Sequence, residues 1–461
     1  YSSAASDVYK RQDYMFQATE GLPIDVRFML PSCVPATPMD ESGANLDYRA
    51  IDSFYDYPRV QGLAEMMNSY GVIHNDAEVV SKIVASQAHH KKIDGHAPGL
   101  QGKDLDTYVA AGVYSDHECA TMEDALAKLQ RGQFIMIREG TAARNLEALA
   151  PLLTPQYAER CMFCTDDKHP SDLLEKGHID YIAREAINKY GVDPIIAVKA
   201  ACHHASRYFL LNNRGAIAPG YLADFAVIDN FKDFNVEMVF KKGVLYWNNG
   251  ELRDFEAPKI EEYLDKRAHD TFHVSTLTPD DFRDTRQRGV LGMVPGEIIT
   301  TDNGYADHVD LEKDILKIAV VERHKGTHHI GLGYIQGYGL KSGAVATSIS
   351  HDSHNIIVVG TNSADMAFAA NYIVEHHGGI VVVENGTVKG SVVLEIAGIM
   401  SDRPLTEVND QLEAAKDAAF TLGVSRGIDP FMTLSFMALP VIPKLRITTR
   451  GVVDVDTQQY V

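Results

Sequence analysis

Apolar positions follow two rhythms along this chain, and the rhythm changes near residue 211. From Pro23 to about Tyr208, short apolar or β-branched runs alternate with stretches whose apolar residues recur every three to four positions. IDVRFMLPSCVP reads as a strand running into a loop, and KKIDGH, QFIMIREG and RCMFCTDD read as further strands. GVIHNDAEVVSKIVASQAHH and TAARNLEALAPLL read as helices. Thr121-Met122-Glu123-Asp124 resembles a capping box opening the helix EDALAKLQRG. In HIDYIAREAINKYG, Ile179, Ile182, Ala183, Ala186 and Ile187 form one helical stripe closed by Gly191. This βαβα succession predicts a parallel sheet with helices outside it.

Beyond Asn212 come short strands and glycine turns, RGAIAPGYLADFAVID and VEMVFKKGVLYW, which predict a small β unit over 211–250. The charged stretch ELRDFEAPKIEEYLDKRAHD follows, an exposed helix or linker over 251–274. From 275 to 461, strands such as ILKIAVVER, NIIVVG, GGIVVVENG and SVVLEIAG are interrupted by the helices SADMAFAANYIVEHHG and TEVNDQLEAAKDAAFTLG, an α+β pattern. The first dozen residues, YSSAASDVYKRQ, lack the apolar stretch of a signal peptide. They are read as a non-native tail over 1–12 joined to a shortened reading frame, with natural sequence from about Asp13; a disordered native tail is the plainer alternative.

With 461 residues, 45% of them apolar and 23% charged, the chain can bury a large core in two or three domains. A net charge of −20 disfavours nucleic acid and anionic membrane as partners and favours small or neutral ligands. No apolar run has the length of a membrane helix. Five irregularly spaced cysteines, at 33, 119, 161, 164 and 202, argue for a reducing compartment, and so for a cytoplasmic protein.

Four side chains carry the chemistry: Glu65 in GLAEMMN, His96 in DGHAPG, His117 in YSDHE and Asp166 in FCTDDKHP. Each ends a strand-like run and precedes loop residues, and in a parallel barrel such strand ends converge on one mouth. Imidazole nitrogen and carboxylate oxygen are ligands for divalent cations. Each residue also has a plain reading taken alone. Glu65 could be a helix-surface charge, His96 a turn histidine, and Asp166-Asp167 the start of a turn; Asp116 could be a cap. Cys161 and Cys164 form a lone C-x-x-C and read as core. The histidines at 324, 328, 329, 351 and 354 form a second cluster, open to a site role or to loop contacts.

Several stretches together resemble adenine deaminases of the amidohydrolase superfamily. They are DVRFMLPSCVPATP, GLAEMMN, DGHAPGL, SDHE, REGTAARNL, CTDDKHPSDLLEKGHID, NNRGAIAPGYLADFAVID, RHKGTHHIGLGYIQGYGL and SHDSHNIIVVGTN, and they run from about Asp13 to the end. The resemblance implies an α/β fold: a TIM-like (β/α)8 metallo-hydrolase barrel over 13–210, incomplete at its N-terminus, with a small β domain and a C-terminal α+β domain. It implies hydrolysis of adenine to hypoxanthine and ammonia by a homodimer or larger homo-oligomer, with Mn2+ or Fe2+, binuclear in the intact protein. Carried over one residue at a time, Glu65 is the bridging carboxylate of strand four, His96 the ligand of strand five and His117 that of strand six. Asp166 is the strand-eight aspartate, both ligand and proton shuttle; protonation of purine N1 needs a second acid, for which Glu118 is the candidate. The superfamily's strand-one His-x-His has no counterpart ahead of Glu65, so an incomplete metal site and impaired activity are expected. Two other readings stay open: a cyclic amidohydrolase opening a lactam or hydantoin ring, and an inactive fragment with binding or assembly roles.

Overall fold

The computed structural model describes residues 8–461 except 142, 284, 285, 295 and 296, with backbone alone for 8–12. The segment read as a tail therefore lies outside the described residues over 1–7, while Val8–Ala18 is one helix. The chain forms two compact units. One comprises Phe16–Ser32 with Asp47–Lys259; the other comprises Cys33–Leu46 and Ile260–Val461, with the described residues up to Met15.

The first unit holds six parallel strands in chain order: β1 (Phe28–Leu30), β2 (Val60–Met66), β3 (Lys92–Gly95), β4 (Ser115–Asp116), β5 (Phe134–Arg138) and β6 (Cys161–Cys164). They form two three-stranded ladders. The ladders meet where Tyr114 N donates to Ile93 O at 2.9 Å and Gly95 N to Ser115 Oγ at 3.3 Å. Gly95 permits that approach, since a Cβ there would lie 2.1 Å from Ser115 O. Because parallel strands need crossovers, helices connect them: α1 (Ala77–Ala88), α2 (Gly102–Ala110) and α3 (Met122–Gln130), with α4 (Ile179–Asn188) after β6. The α4 stripe buries Ile182, Ala183 and Ala186 completely, against a core that includes Ile135, Ile137 and Cys161.

Local chemistry shifts some expected elements. The helix read through GVIHNDAEVV breaks at Asn75, whose φ is 58°. Asp76 then caps α1, accepting from Glu78 N and Val79 N at 3.0 and 3.1 Å. TAARNLEALAPLL is helical only over Leu146–Leu149 and then tightens into a 3-10 turn, Ala150–Leu152; Pro151 lacks the N–H that would continue it. Thr121 caps α3 through Asp124 N at 3.2 Å, but the return half of a capping box is missing because the Asp124 carboxylate turns to Lys128 instead. A four-stranded antiparallel sheet closes this unit: β7 (Phe225–Ile228), β8 (Val236–Lys241), β9 (Val244–Asn248) and β10 (Glu251–Leu252).

The second unit is built on an eight-stranded, largely antiparallel sheet within Arg288–Val393, carrying the helices α5 (Ser363–Glu375) and α6 (Leu405–Thr421). Ile318, Val320, Val345 and Val359 point into the core shared with α6, and Ala319, Val321, Ala346 and Val358 into the core shared with α5. This alternation explains why its strands read as continuous apolar runs. Cys33–Leu46, the loop leaving β1, belongs to this unit. Glu41 accepts from Thr449, from His329 Nδ1 at 3.0 Å and from Arg450 Nη2 at 3.2 Å. Asn355 Nδ2 donates to Glu41 O at 2.6 Å, and Tyr460 Oη to Met39 O at 2.8 Å.

Candidate metal centre

The strand ends of the first unit bring Glu65, His96, His117 and Asp166 together. Glu65 is the penultimate residue of β2, His96 and His117 directly follow β3 and β4, and Asp166 lies two residues beyond β6. His96 Nδ1 is 3.2 Å and His117 Nε2 3.1 Å from Glu65 Oε2, and His117 Nε2 is 3.7 Å from Asp166 Oδ2. Glu118 joins them, its Oε1 3.1 Å from His117 Nε2 and 3.5 Å from His96 Nδ1. Two sets of three, Glu65–His96–His117 and His117–Glu118–Asp166, each place one ligand atom per residue within 4.8 Å of the others.

A residue that the sequence pattern did not single out completes the cluster. Arg138, the last residue of β5, donates to Glu118 through both terminal nitrogens and to Asp166 Oδ2 from Nη1 at 2.6 Å. Its place at a strand end was the available signal. The surrounding backbone is pinned as well. Tyr108 Oη donates to Met66 O at 2.8 Å and accepts from His96 N at 3.0 Å, and Ser32 Oγ donates to Glu65 O. Behind them, Ser115 Oγ and Tyr208 Oη donate to Asp94 Oδ1 at 3.0 and 2.5 Å.

Electrostatics decides what this cluster can hold. Burial pushes the Glu65 carboxyl up, but hydrogen bonds from His117 and His96 outweigh it and hold it well below the usual carboxylate range. Burial disfavours a charged His117, yet its bonds to Glu118 and Glu65 raise it well above an ordinary histidine. Against its own burial, Glu118 is lowered by the charge of His96, the His117 hydrogen bond and Arg138. Three carboxylates thus face one guanidinium and two imidazoles that are drawn toward protonation. With both imidazoles protonated these charges balance, and a divalent cation would take the place of those two protons, on oxygen and nitrogen donors with no thiolate. Cys161 and Cys164 belong to no such group among the described residues; burial raises both thiols to about 12.

The histidines of the second unit make separate local contacts. His324 Nε2 lies 2.7 Å from Ser353 O, His328 Nε2 3.2 Å from Asp281 Oδ1, and His351 stacks on Phe436 with centroids 5.1 Å apart. His354 is buried. None of the five is in a metal-capable group among the described residues.

Comparison with known proteins places the chain in a lineage. The amidohydrolase family profile matches residues 5–246, and the adenine deaminase C-terminal domain profile matches 297–459. The adenine deaminase of Desulfatibacillum aliphaticivorans is 45% identical over 97% of this chain and 79% of its own length. The chain belongs to the adenine deaminase family of amidohydrolases. Adenine deaminase 2 of Carboxydothermus hydrogenoformans is 42% identical, over 96% of this chain and 78% of its own length. Solved structures align more loosely. An N-acetyl-D-glucosamine-6-phosphate deacetylase from Mycobacterium smegmatis is 16% identical with a TM-score of 0.37, covering 51% of this chain and 70% of its own. A β-aspartyl dipeptidase from Fervidobacterium islandicum AW-1 is 17% identical with a TM-score of 0.35, covering 45% and 62%. Membership makes the α/β unit an amidohydrolase fold of TIM-barrel type followed by a β-rich C-terminal domain. It also implies a divalent metal. Among the described residues, no helix is long and apolar enough to cross a membrane.

Proposed function

We propose that this chain hydrolyses adenine to hypoxanthine and ammonia at the cluster of Glu65, His96, His117 and Asp166. The convergence of these four side chains from four different strand ends carries the reading. Glu65, His96, His117 and Asp166 would hold the metal, Mn2+ or Fe2+, as a pair of ions in the whole enzyme. When bound, a divalent cation supplies Lewis acidity that makes water nucleophilic near neutral pH.

The chain's own residues handle the protons. Adenine gains the oxygen of water at C6 and loses its exocyclic nitrogen, so two water protons must travel, one to N1 and one to the departing amine. Glu118, with its Oε1 3.1 Å from His117 Nε2, first accepts a proton from the attacking water and then delivers it to N1. Asp166 takes the second proton from the oxygen on C6 and gives it to the amine as the C6–N bond breaks. Arg138 bridges both carboxylates and fixes their spacing.

The same reading carries a cytoplasmic location, a homodimer or larger homo-oligomer, and domain boundaries near 210, 250 and 274. To test the activity, the Mn2+-loaded chain is given adenine, and ammonia and hypoxanthine are followed. Release from adenine in preference to guanine, cytosine and hydantoin is expected. A metal-loaded chain that opens hydantoin and leaves adenine intact would overturn the reading.

A further inference from the structure

A charged network with no part in the proton transfers lies directly behind the ligand loops. Lys128, in the last turn of α3, is completely buried, and Asp116, the last residue of β4, is equally buried. Lys128 Nζ donates to Ala97 O at 2.7 Å, to Asp116 Oδ2 at 3.0 Å and to Asp124 Oδ2 at 3.0 Å. All three protons of the ammonium are therefore spent, on three different chain segments. Asp116 is as fully used. Its Oδ1 accepts from Ala97 N at 2.8 Å, and its Oδ2 from Glu118 N at 3.0 Å and Cys119 Sγ at 3.1 Å.

The segments joined are telling. Ala97 is the neighbour of His96, and Glu118 the neighbour of His117. Both the N–H and the C=O of Ala97 are bound by this one ion pair, so the chain after β3 cannot turn without breaking two hydrogen bonds to buried charges. The amide of Glu118 is held by the same carboxylate. A solvated lysine at this helix position would do none of this, and leucine or methionine would fill the space with less desolvation. Holding two loops in register is what the charged pair adds.

We infer that Lys128 and Asp116 form a positioning pair that sets the separation of the His96 and His117 loops, and with it the geometry of the metal centre. The inference rests on the metal reading above. Partners that orient metal ligands from behind typically contribute about 10–100-fold to metal affinity.

Two variants and two readouts test it. Lys128→Met leaves Asp116 buried without its cation, and the double variant Lys128→Met/Asp116→Asn removes both charges at nearly constant volume. In each, Mn2+ affinity is measured calorimetrically on chelator-stripped protein, and amide hydrogen exchange is followed at Ala97 and Glu118 without metal. We expect Mn2+ binding about 10–100-fold weaker in both variants, and at least tenfold faster exchange at Ala97. Thermal stability should fall in the single variant and largely recover in the double. A purely structural pair would let affinity recover along with stability, and a double variant that binds Mn2+ like the parent chain overturns the inference. If Lys128→Met does not fold, the double variant decides alone. If the parent chain takes up no Mn2+, the metal reading fails, and unchanged exchange at Ala97 in the folded variant would then separately remove the positioning role.

Discussion

Asp166→Asn weighs the proton-shuttle role most directly. Asp166 has φ 55°, a left-handed conformation that asparagine tolerates far better than alanine, so the backbone beyond β6 should keep its course. Its Oδ2 lies 2.6 Å from Arg138 Nη1, and its Oδ1 accepts from Asp167 N at 2.7 Å. An amide can offer its oxygen to only one of these donors. The guanidinium is the stronger partner, so Asp167 N loses its acceptor, a change of about 1 kcal/mol at this partly exposed position. The chemical loss is larger. An amide cannot take and return a proton, and general acid–base groups contribute about 10²- to 10⁴-fold in rate. We expect kcat for ammonia release to drop by at least about 10²-fold, or roughly 2.7 kcal/mol of barrier, with metal at least partly retained. Asp167→Asn is the control, because its carboxylate lies outside both candidate ligand sets. Should Asp167→Asn be the inactive variant, or Asp166→Asn stay within tenfold of the parent, the assignment of the shuttle is wrong.

Three further substitutions probe other links. Arg138→Met leaves Glu118 and Asp166 with like charges and no cation between them; breaking a buried pair of this kind costs about 3–5 kcal/mol, so thermal melting should show a large drop and kinetics a fall in kcat. Gly95→Ala sets a methyl 2.1 Å from Ser115 O, so β3 and β4 must separate; we expect lower stability and weaker Mn2+ binding together, and a variant matching the parent in both would refute the close approach. In the second unit, burial raises Asp40 from 3.8 to about 7 against bonds from Glu41 and Ser353. A folded value above the unfolded one means its stabilising contribution is complete below pH 3.8 and is lost as pH climbs to about 7. Chemical denaturation of Asp40→Asn should therefore lack a pH-dependent loss that the parent shows over this window, at most about 4 kcal/mol.

The convergence of Glu65, His96, His117 and Asp166 was legible in the sequence because each lies at or just past the end of an apolar run, at the strand C-termini where a parallel sheet gathers its chemistry. Arg138 occupies such a position too, in QFIMIREG, but an arginine there reads as a solvated charge until its partners 20 and 28 residues away are known. Lys128 was hidden by the same ambiguity. In EDALAKLQRG a lysine belongs on the wet face of a helix, and it is drawn inward by Ala97 O and the Asp116 carboxylate, both distant in sequence, together with Asp124 of its own helix. The break at Asn75 leaves no mark in the apolar spacing, which carries on across it while the Asp76 cap resets the helix beneath. Local pattern could not show that Cys33–Leu46 joins the C-terminal unit, since its partners lie hundreds of residues later.

That affiliation has a consequence for how the chain is made. Glu41 and Arg450 are 409 residues apart, so at about 5–20 residues per second of synthesis the loop leaves the ribosome roughly 20–80 s before its last partner exists. Through that interval the strands on either side of the loop can pair, whereas Glu41 lacks Thr449 and Arg450 and Met39 O lacks Tyr460 Oη. Closing so long a loop costs little more than closing a moderate one, so the delay is a matter of time more than of free energy. The early segment therefore waits as an open flap, exposed to chaperones and proteases, and the C-terminal residues act as the latch that ends its exposure.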